Sequence, residues 1–436
     1  MRQLSVAAAA LAASSVLVVA PPPSVAAPGV GQQCVDVNDV DPTERGEPPE
    51  GPNSSFDALR ITEAQAIVER RTGRTAGEGV TVAVVDSGVR NAAIRVVPPQ
   101  PSPSPPLHYH GTAMAGIIAG ADVPPPADGA DDVYAGPVGI APAAGILDVR
   151  IYDREDGSDD DEGVKLTRET VVAGLTYLLP LVRSGQVQIV NVSISVGESN
   201  DDLENAVTAL TDAGAIVVAS AGNPGESSDD EQQNPSATPT PQSIEDYADA
   251  RFPAGYSDDD PLVVSAGILP SEGPVLPNSS IDLVVPTAGA ITYAINESAC
   301  VFAPPSTSVA AAEVSGILAL MMTAYPDDTP RQLIARLEAT ATGGDKTTAA
   351  GPDRSVGYGA VQVVEALTRP MEVGREGVVN GGPPPRPPAQ PAVLPPDAPD
   401  VLASTRRNAV WWGLLGGGAL VVALLLRPVL VRRRGR

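Results

Sequence analysis

Six short apolar runs recur along the middle of the chain, at residues 79–85, 146–151, 187–193, 215–220, 262–266 and 281–285. They are apolar at nearly every position rather than at alternate ones, the pattern of strands buried on both faces of a parallel sheet. Helical spacing fills the gaps. Leu203, Ala206, Val207, Leu210 and Ala213 follow i, i+3, i+4 and i+7, and Gly214 supplies a stop before the next run. Thr329 and Pro330 predict a further helix, with threonine at the N-cap and proline at the first helical position, running to about residue 341. Strands and helices alternating in this way predict a mainly parallel sheet with helices on both faces. The expected fold class is therefore a three-layer α/β/α sandwich, occupying residues 61–370.

The flanks follow other patterns. Residues 1–27 carry one arginine, an alanine-rich apolar stretch and small residues at the end, which predicts a secretory signal peptide. Residues 28–60 are rich in Pro, Gly and Asp and are expected to form an irregular extension on the domain surface. Residues 371–408 are a proline-rich linker, expected to favour extended polyproline II. Residues 409–426 contain no charge and are long enough for a single transmembrane helix at ~1.5 Å per residue. Five arginines in the tail, 427–436, against Arg406 and Arg407 before the span, place the C-terminus in the cytoplasm and the large domain outside the cell membrane.

Composition narrows the function. Aromatic residues are 3% of the chain and the formal charge is −25, so the core must be aliphatic and the surface acidic. Such a surface repels phosphate backbones, which excludes nucleic acid as a partner. Acidic runs at 159–161 and 258–260 read as solvated loops, and none has the ligand spacing of a calcium loop. Cys34 and Cys300 are the only cysteines. An exported chain can keep them as a disulfide, which would tie the extension eight residues upstream of Ser308; two free thiols are the alternative.

Four motifs carry candidate chemistry. Asp86 ends the first apolar run in Val84-Val85-Asp86-Ser87-Gly88, at the carboxyl end of a strand, where ligands gather in parallel sheets. His110 opens His110-Gly111-Thr112-Ala113-Met114-Ala115-Gly116, whose small residues allow close helix packing. The chain has two histidines, and a general base working near neutral pH is sought among them. His108 lies among prolines in a loop, whereas His110 leads into the helix. Ser308 sits in Ser306-Thr307-Ser308-Val309-Ala310-Ala311, at the start of a long apolar helix. A serine there is commonly a cap, but the same position offers free backbone N–H groups to an oxyanion. Asn223, in Ala219-Ser220-Ala221-Gly222-Asn223, follows a buried strand and reads either as a turn or as a side-chain N–H donor to a tetrahedral intermediate.

Together the motifs resemble the subtilisin-like serine proteases, in which Asp, His and Ser follow in that chain order. The resemblance spans roughly 61–368 and includes Gly139-Ile140-Ala141-Pro142 and the substrate-edge segment beginning at Asn191. It implies a catalytic triad of Asp86, His110 and Ser308, an oxyanion donor in Asn223, protein or peptide substrates, and no metal or organic cofactor. Two positions depart from the family pattern: Ser306 replaces an expected glycine and Ala312 an expected proline. The layout of leader, protease, proline-rich linker and one membrane helix is similar to that of the mycosins, membrane-anchored proteases of type VII secretion systems. That likeness implies components of a membrane secretion complex as partners. The alternative is a catalytically weak or inactive protease-fold scaffold for such a complex.

Overall fold

The structure is a computed structural model that describes residues 31–37, 47–99, 106–126, 133–154, 163–197, 199–223, 251–273, 281–343 and 355–380, with parts of 411–422. All six apolar runs are strands of one sheet: β1 (Thr81–Asp86), β2 (Gly145–Arg150), β3 (Ile189–Val192), β4 (Ile216–Ser220), β5 (Val263–Ile268) and β6 (Leu283–Val285). After a separate antiparallel hairpin, β7 (Ala290–Tyr293) and β8 (Ala299–Phe302), two short strands complete the sheet, β9 (Thr342–Gly343) and β10 (Gly359–Ala360). The spatial order is β2-β1-β3-β4-β5-β6-β10-β9, and every pairing is parallel except β10 with β9. β1 therefore lies between β2 and β3, where the strand order reverses. In open α/β sheets, the crevice outside the strand ends at such a reversal is where a ligand fits.

Eight helices surround the sheet among the described residues of the domain: α1 (Ser54–Ala58), α2 (Ile61–Thr72), α3 (His110–Ala119), α4 (Arg168–Arg183), α5 (Asp201–Asp212), α6 (Thr307–Ala324), α7 (Pro330–Thr340) and α8 (Val363–Thr368). Successive strand residues point to opposite faces, so each strand feeds two cores. Val82, Val84, Ile146, Ile189, Ile216 and Val218 pack with α2, α3 and α6. Ala83, Val85, Leu147, Val149, Val190 and Val217 pack on the other face with α4 and α5. This is the expected three-layer sandwich.

The helix ends follow local chemistry. Asn200 accepts the Leu203 N–H and opens α5 with Asp201, Asp202 and Glu204 in its first turn, where acidic side chains oppose the helix dipole favourably. Gly214, at φ 96°, ends that segment. Thr329 and Gln332 form a reciprocal capping box around Pro330 at the start of α7. α6 is built from Ala, Leu, Met and Val and stops at Tyr325, before Pro326. It is long and apolar enough to cross a membrane, but 94% of it is buried, which marks it as the domain's core helix.

Two boundary expectations change. The extension was expected on the surface, yet Cys34, Val37 and Phe56 are buried in the core. Cys34 forms a disulfide with Cys300 of β8, and Gln33 bridges Val301 beside it. The linker was expected from 371, yet β11 (Glu372–Val373) and β12 (Val379–Asn380) fold back as a hairpin, with Gln332 of α7 donating to the Val373 carbonyl at 2.6 Å. The expected signal peptide lies outside the described residues, as does half of the expected span at 409–426. Its described residues, among them Trp411, Trp412, Leu414 and Leu415, are helical and exposed.

Candidate active site

Asp86 is the last residue of β1 and is fully buried. The chain then turns through Gly88, at φ 100°, and returns to begin α3 at His110. The return is close: a Cβ on Gly111 would stand 2.7 Å from the Gly88 carbonyl oxygen, so only glycine fits. Side chains stitch the two ends together. Ser87 Oγ accepts the Gly111 N–H at 2.9 Å, and Thr112 Oγ1 accepts the Arg90 N–H at 3.0 Å.

This framework holds the His110 Nδ1 atom 2.9 Å from both Asp86 carboxylate oxygens. The Ser87 N–H donates to Asp86 Oδ1 at 2.7 Å, and the hydroxyl of Tyr152, which is wholly buried, donates to the same oxygen at 3.2 Å. Burial opposes ionisation of Asp86. The His110 charge and hydrogen bond, the Ser87 N–H and the charge of His108 outweigh it and hold the carboxyl below its ordinary range. A carboxylate in this position fixes the imidazole's orientation and favours its protonated form. His108, the other histidine, flanks the pair: its Nδ1 accepts the His110 N–H at 3.4 Å, and its ring lies 5.8 Å from that of Tyr152.

Ser308 occupies the first turn of α6, which packs alongside α3 and across β3 and β4. Phe302, at the end of β8, lies edge-on to His110 at 6.0 Å. The Ser308 hydroxyl donates to the Ser193 carbonyl at 2.8 Å, and Ser193 Oγ donates back to the Ser308 carbonyl at 3.0 Å. Asn191 Nδ2 donates to Ser193 Oγ at 2.9 Å, while Asn191 Oδ1 accepts from Ser315 Oγ at 3.0 Å. This buried polar clasp ties two turns of α6 to the end of β3, and its partners satisfy one another. Asn223, beyond the end of β4, reaches the same helix start. Its Oδ1 accepts the Thr307 N–H at 2.9 Å and the Thr307 hydroxyl at 3.1 Å, and its Nδ2 donates to Ser306 Oγ at 3.4 Å.

Thus Asp86 and His110 are in direct contact, and Asn223 meets the turn that carries Ser308. Sequence reasoning missed Tyr152 and the Asn191–Ser193–Ser315 clasp. Nothing local marks either, because each acts through a strand that is a neighbour in space and distant in sequence. Among the described residues, no cluster of three or more His, Cys, Asp or Glu side chains could hold a metal ion.

Comparison with known proteins gives this geometry a context. The subtilase family, peptidase family S8, matches residues 77–359. Mycosin-1 of Mycolicibacterium smegmatis is 31% identical over 372 residues, covering 74% of this chain and 76% of that protein. Mycosin-1 of Mycobacterium tuberculosis is 30% identical, over 67% of this chain and 69% of that protein. The crystal structure of MycP1 from the ESX-1 type VII secretion system superposes with a TM-score of 0.55 at 26% identity, covering 80% of this chain and 93% of that one. A subtilase match across most of the folded domain, together with mycosin relatives of this identity, shows that the chain belongs to the subtilase family of serine endopeptidases and is similar to the mycosins.

Proposed function

We propose that Asp86, His110 and Ser308 are the catalytic triad of this endopeptidase and that Asn223 and the Ser308 N–H form its oxyanion site. The observation that carries the reading is the buried Asp86 carboxylate set 2.9 Å from His110 Nδ1, at the strand-order reversal beside the helix that bears Ser308. Asp86 orients the ring so that Nε2 serves as the base. The Ser308 hydroxyl turns from the Ser193 carbonyl toward His110, gives up its proton and attacks the scissile carbonyl. Collapse of the tetrahedral intermediate, with His110 protonating the leaving amine, gives an acyl-enzyme; water activated by the same histidine then releases the acid.

A cleft of about 480 Å³ between the end of β2 and α4 is lined by Val149, Ile151, Tyr152 and Tyr177 together with the ion-paired Arg150 and Asp153, a mixed lining with room for a substrate side chain. Cleavage of an unfolded protein by the full chain in detergent tests the reading. Ser308→Ala and His110→Ala should each lower kcat by about 10⁴-fold or more. Cleavage at wild-type rate by Ser308→Ala would contradict it.

We also propose that residues 409–426 anchor the enzyme, with its protease domain outside the cytoplasm, beside a type VII secretion complex. The uncharged, tryptophan-flanked segment with its arginine tail and the likeness to MycP1 of the ESX-1 system support this. Affinity purification from native membranes should recover membrane components of such a complex with wild type and Ser308→Ala alike. Recovery of the chain in the soluble fraction without those components would contradict it.

A further inference from the structure

An oxyanion site requires two N–H donors aimed at one point. Here both candidate donors already converge on one atom: the Ser308 N–H reaches Ser306 Oγ at 3.1 Å and Asn223 Nδ2 reaches it at 3.4 Å. The Asn223 amide is oriented by its other end, because Oδ1 accepts both donors of Thr307 and so turns Nδ2 toward Ser306. The chain's own neutral hydroxyl therefore stands where a substrate's carbonyl oxygen would be received.

Ser306 is also the position at which the family pattern has glycine. Its backbone, at φ −145° and ψ 143°, is extended, a conformation open to any residue. The exchange of glycine for serine therefore costs no backbone strain, and what it adds is the hydroxyl.

We infer that Ser306 is a displaceable occupant of the oxyanion site, so that substrate must turn its hydroxyl out before acylation; this rests on the triad reading above. Displacement needs one rotation of χ1 between staggered wells, and Ser306 is only half-buried. A carbonyl oxygen gaining negative charge is the stronger acceptor, since hydrogen bonds to ions are roughly twice as strong as neutral ones. The site is thus held at rest by a cap hydrogen bond and opened by the substrate. The cost falls on the bound substrate and the transition state alike, and appears in kcat/KM.

The test compares wild type, Ser306→Ala, Ser306→Gly and Ser306→Thr as full chains in detergent, on one peptide substrate, with a fluorophosphonate label and a thermal melt for each. Both Ala and Gly variants should raise kcat/KM by about two- to tenfold, the span of one net hydrogen bond. Ser306→Thr, which keeps the hydroxyl, should not. Ser306→Ala should also melt at lower temperature, because the cap of α6 is lost. Opposite signs for rate and stability exclude a merely structural cap, which would lower both. Unchanged or reduced kcat/KM in the Ala and Gly variants, with wild type still labelled, overturns the inference and leaves the triad reading intact. A gain confined to Ser306→Gly overturns it as well, by assigning the effect to crowding from the Cβ. If no variant cleaves or labels, the triad reading falls and takes the inference with it.

Discussion

Asp86 and His110 are held by contacts that the proposed reaction leaves in place, whereas the Ser308 hydroxyl and the two candidate oxyanion donors are engaged in contacts that it must break. Around the carboxylate, the Ser87 N–H, the Tyr152 hydroxyl and the His110 ring all point inward from buried, stitched elements. At the start of α6, the Ser308 hydroxyl is bonded to the Ser193 carbonyl, and both candidate oxyanion donors are taken by Ser306. Charged hydrogen bonds in a buried setting are strong and directional, so preorganisation belongs on the side where charge is permanent. On the nucleophile side, charge appears only during reaction, and neutral bonds there are cheap to exchange. The difference teaches that this subtilase is poised on its base side and self-satisfied on its acyl side.

The contrast can be broken most severely at Asn223. Asn223→Ala removes one oxyanion donor and the acceptor for Thr307, and should lower kcat by about 10²–10³-fold in steady-state assays. A fall under threefold would mean that Asn223 serves only as the cap of that turn.

A second variant probes a buried carboxyl in the same sheet as Asp86. Asp148 of β2 is buried, its Oδ1 has no hydrogen-bond partner among the described residues, and burial pushes its carboxyl up to about 6. A carboxyl with a raised folded value favours the fold fully below its unfolded value, near 3.8, and that advantage is lost as pH rises through about 6. Asp148→Asn should therefore stabilise the protein at pH 8 by about 1–3 kcal/mol in denaturant titrations, with the gain vanishing below pH 4. Equal stabilisation at both pH values would refute the burial argument.

The smallest effect is expected at Tyr152. Tyr152→Phe removes one donor to Asp86 and should lower kcat/KM by about three- to tenfold. Because Asp86 has a depressed folded value, its contribution to stability is present above pH 3.8 and lost as pH falls through that lower value. Losing the phenol raises the folded value, so acid unfolding of Tyr152→Phe should begin at higher pH than in wild type. An unchanged acid midpoint would show that the phenol contributes packing alone.

Much of this was legible in the chain. Continuous apolar runs marked the six main strands because both faces are buried, and Asn200, Gly214 and Thr329-Pro330 marked helix ends because capping is local. Asp86, His110, Ser308 and Asn223 stood out as motif residues at the edges of elements. The hairpin β7–β8 was not legible: its two strands are four residues each, and their apolar residues match those of any short buried turn. Burial of the extension was hidden by its Pro and Gly content, since the disulfide and the contacts of Phe56 are made with residues more than 200 positions away or with packed helices. The effect of Ser306 was invisible for a related reason. The family resemblance marks Ser306 as a departure from glycine, but only the geometry shows where the hydroxyl goes.

Mapping the site of fluorophosphonate attachment by mass spectrometry tests the proposed triad most directly. The account predicts a single adduct on the peptide carrying Ser308, absent in Ser308→Ala and reduced by orders of magnitude in His110→Ala. An adduct on another serine, or labelling of His110→Ala at the wild-type rate, would contradict it.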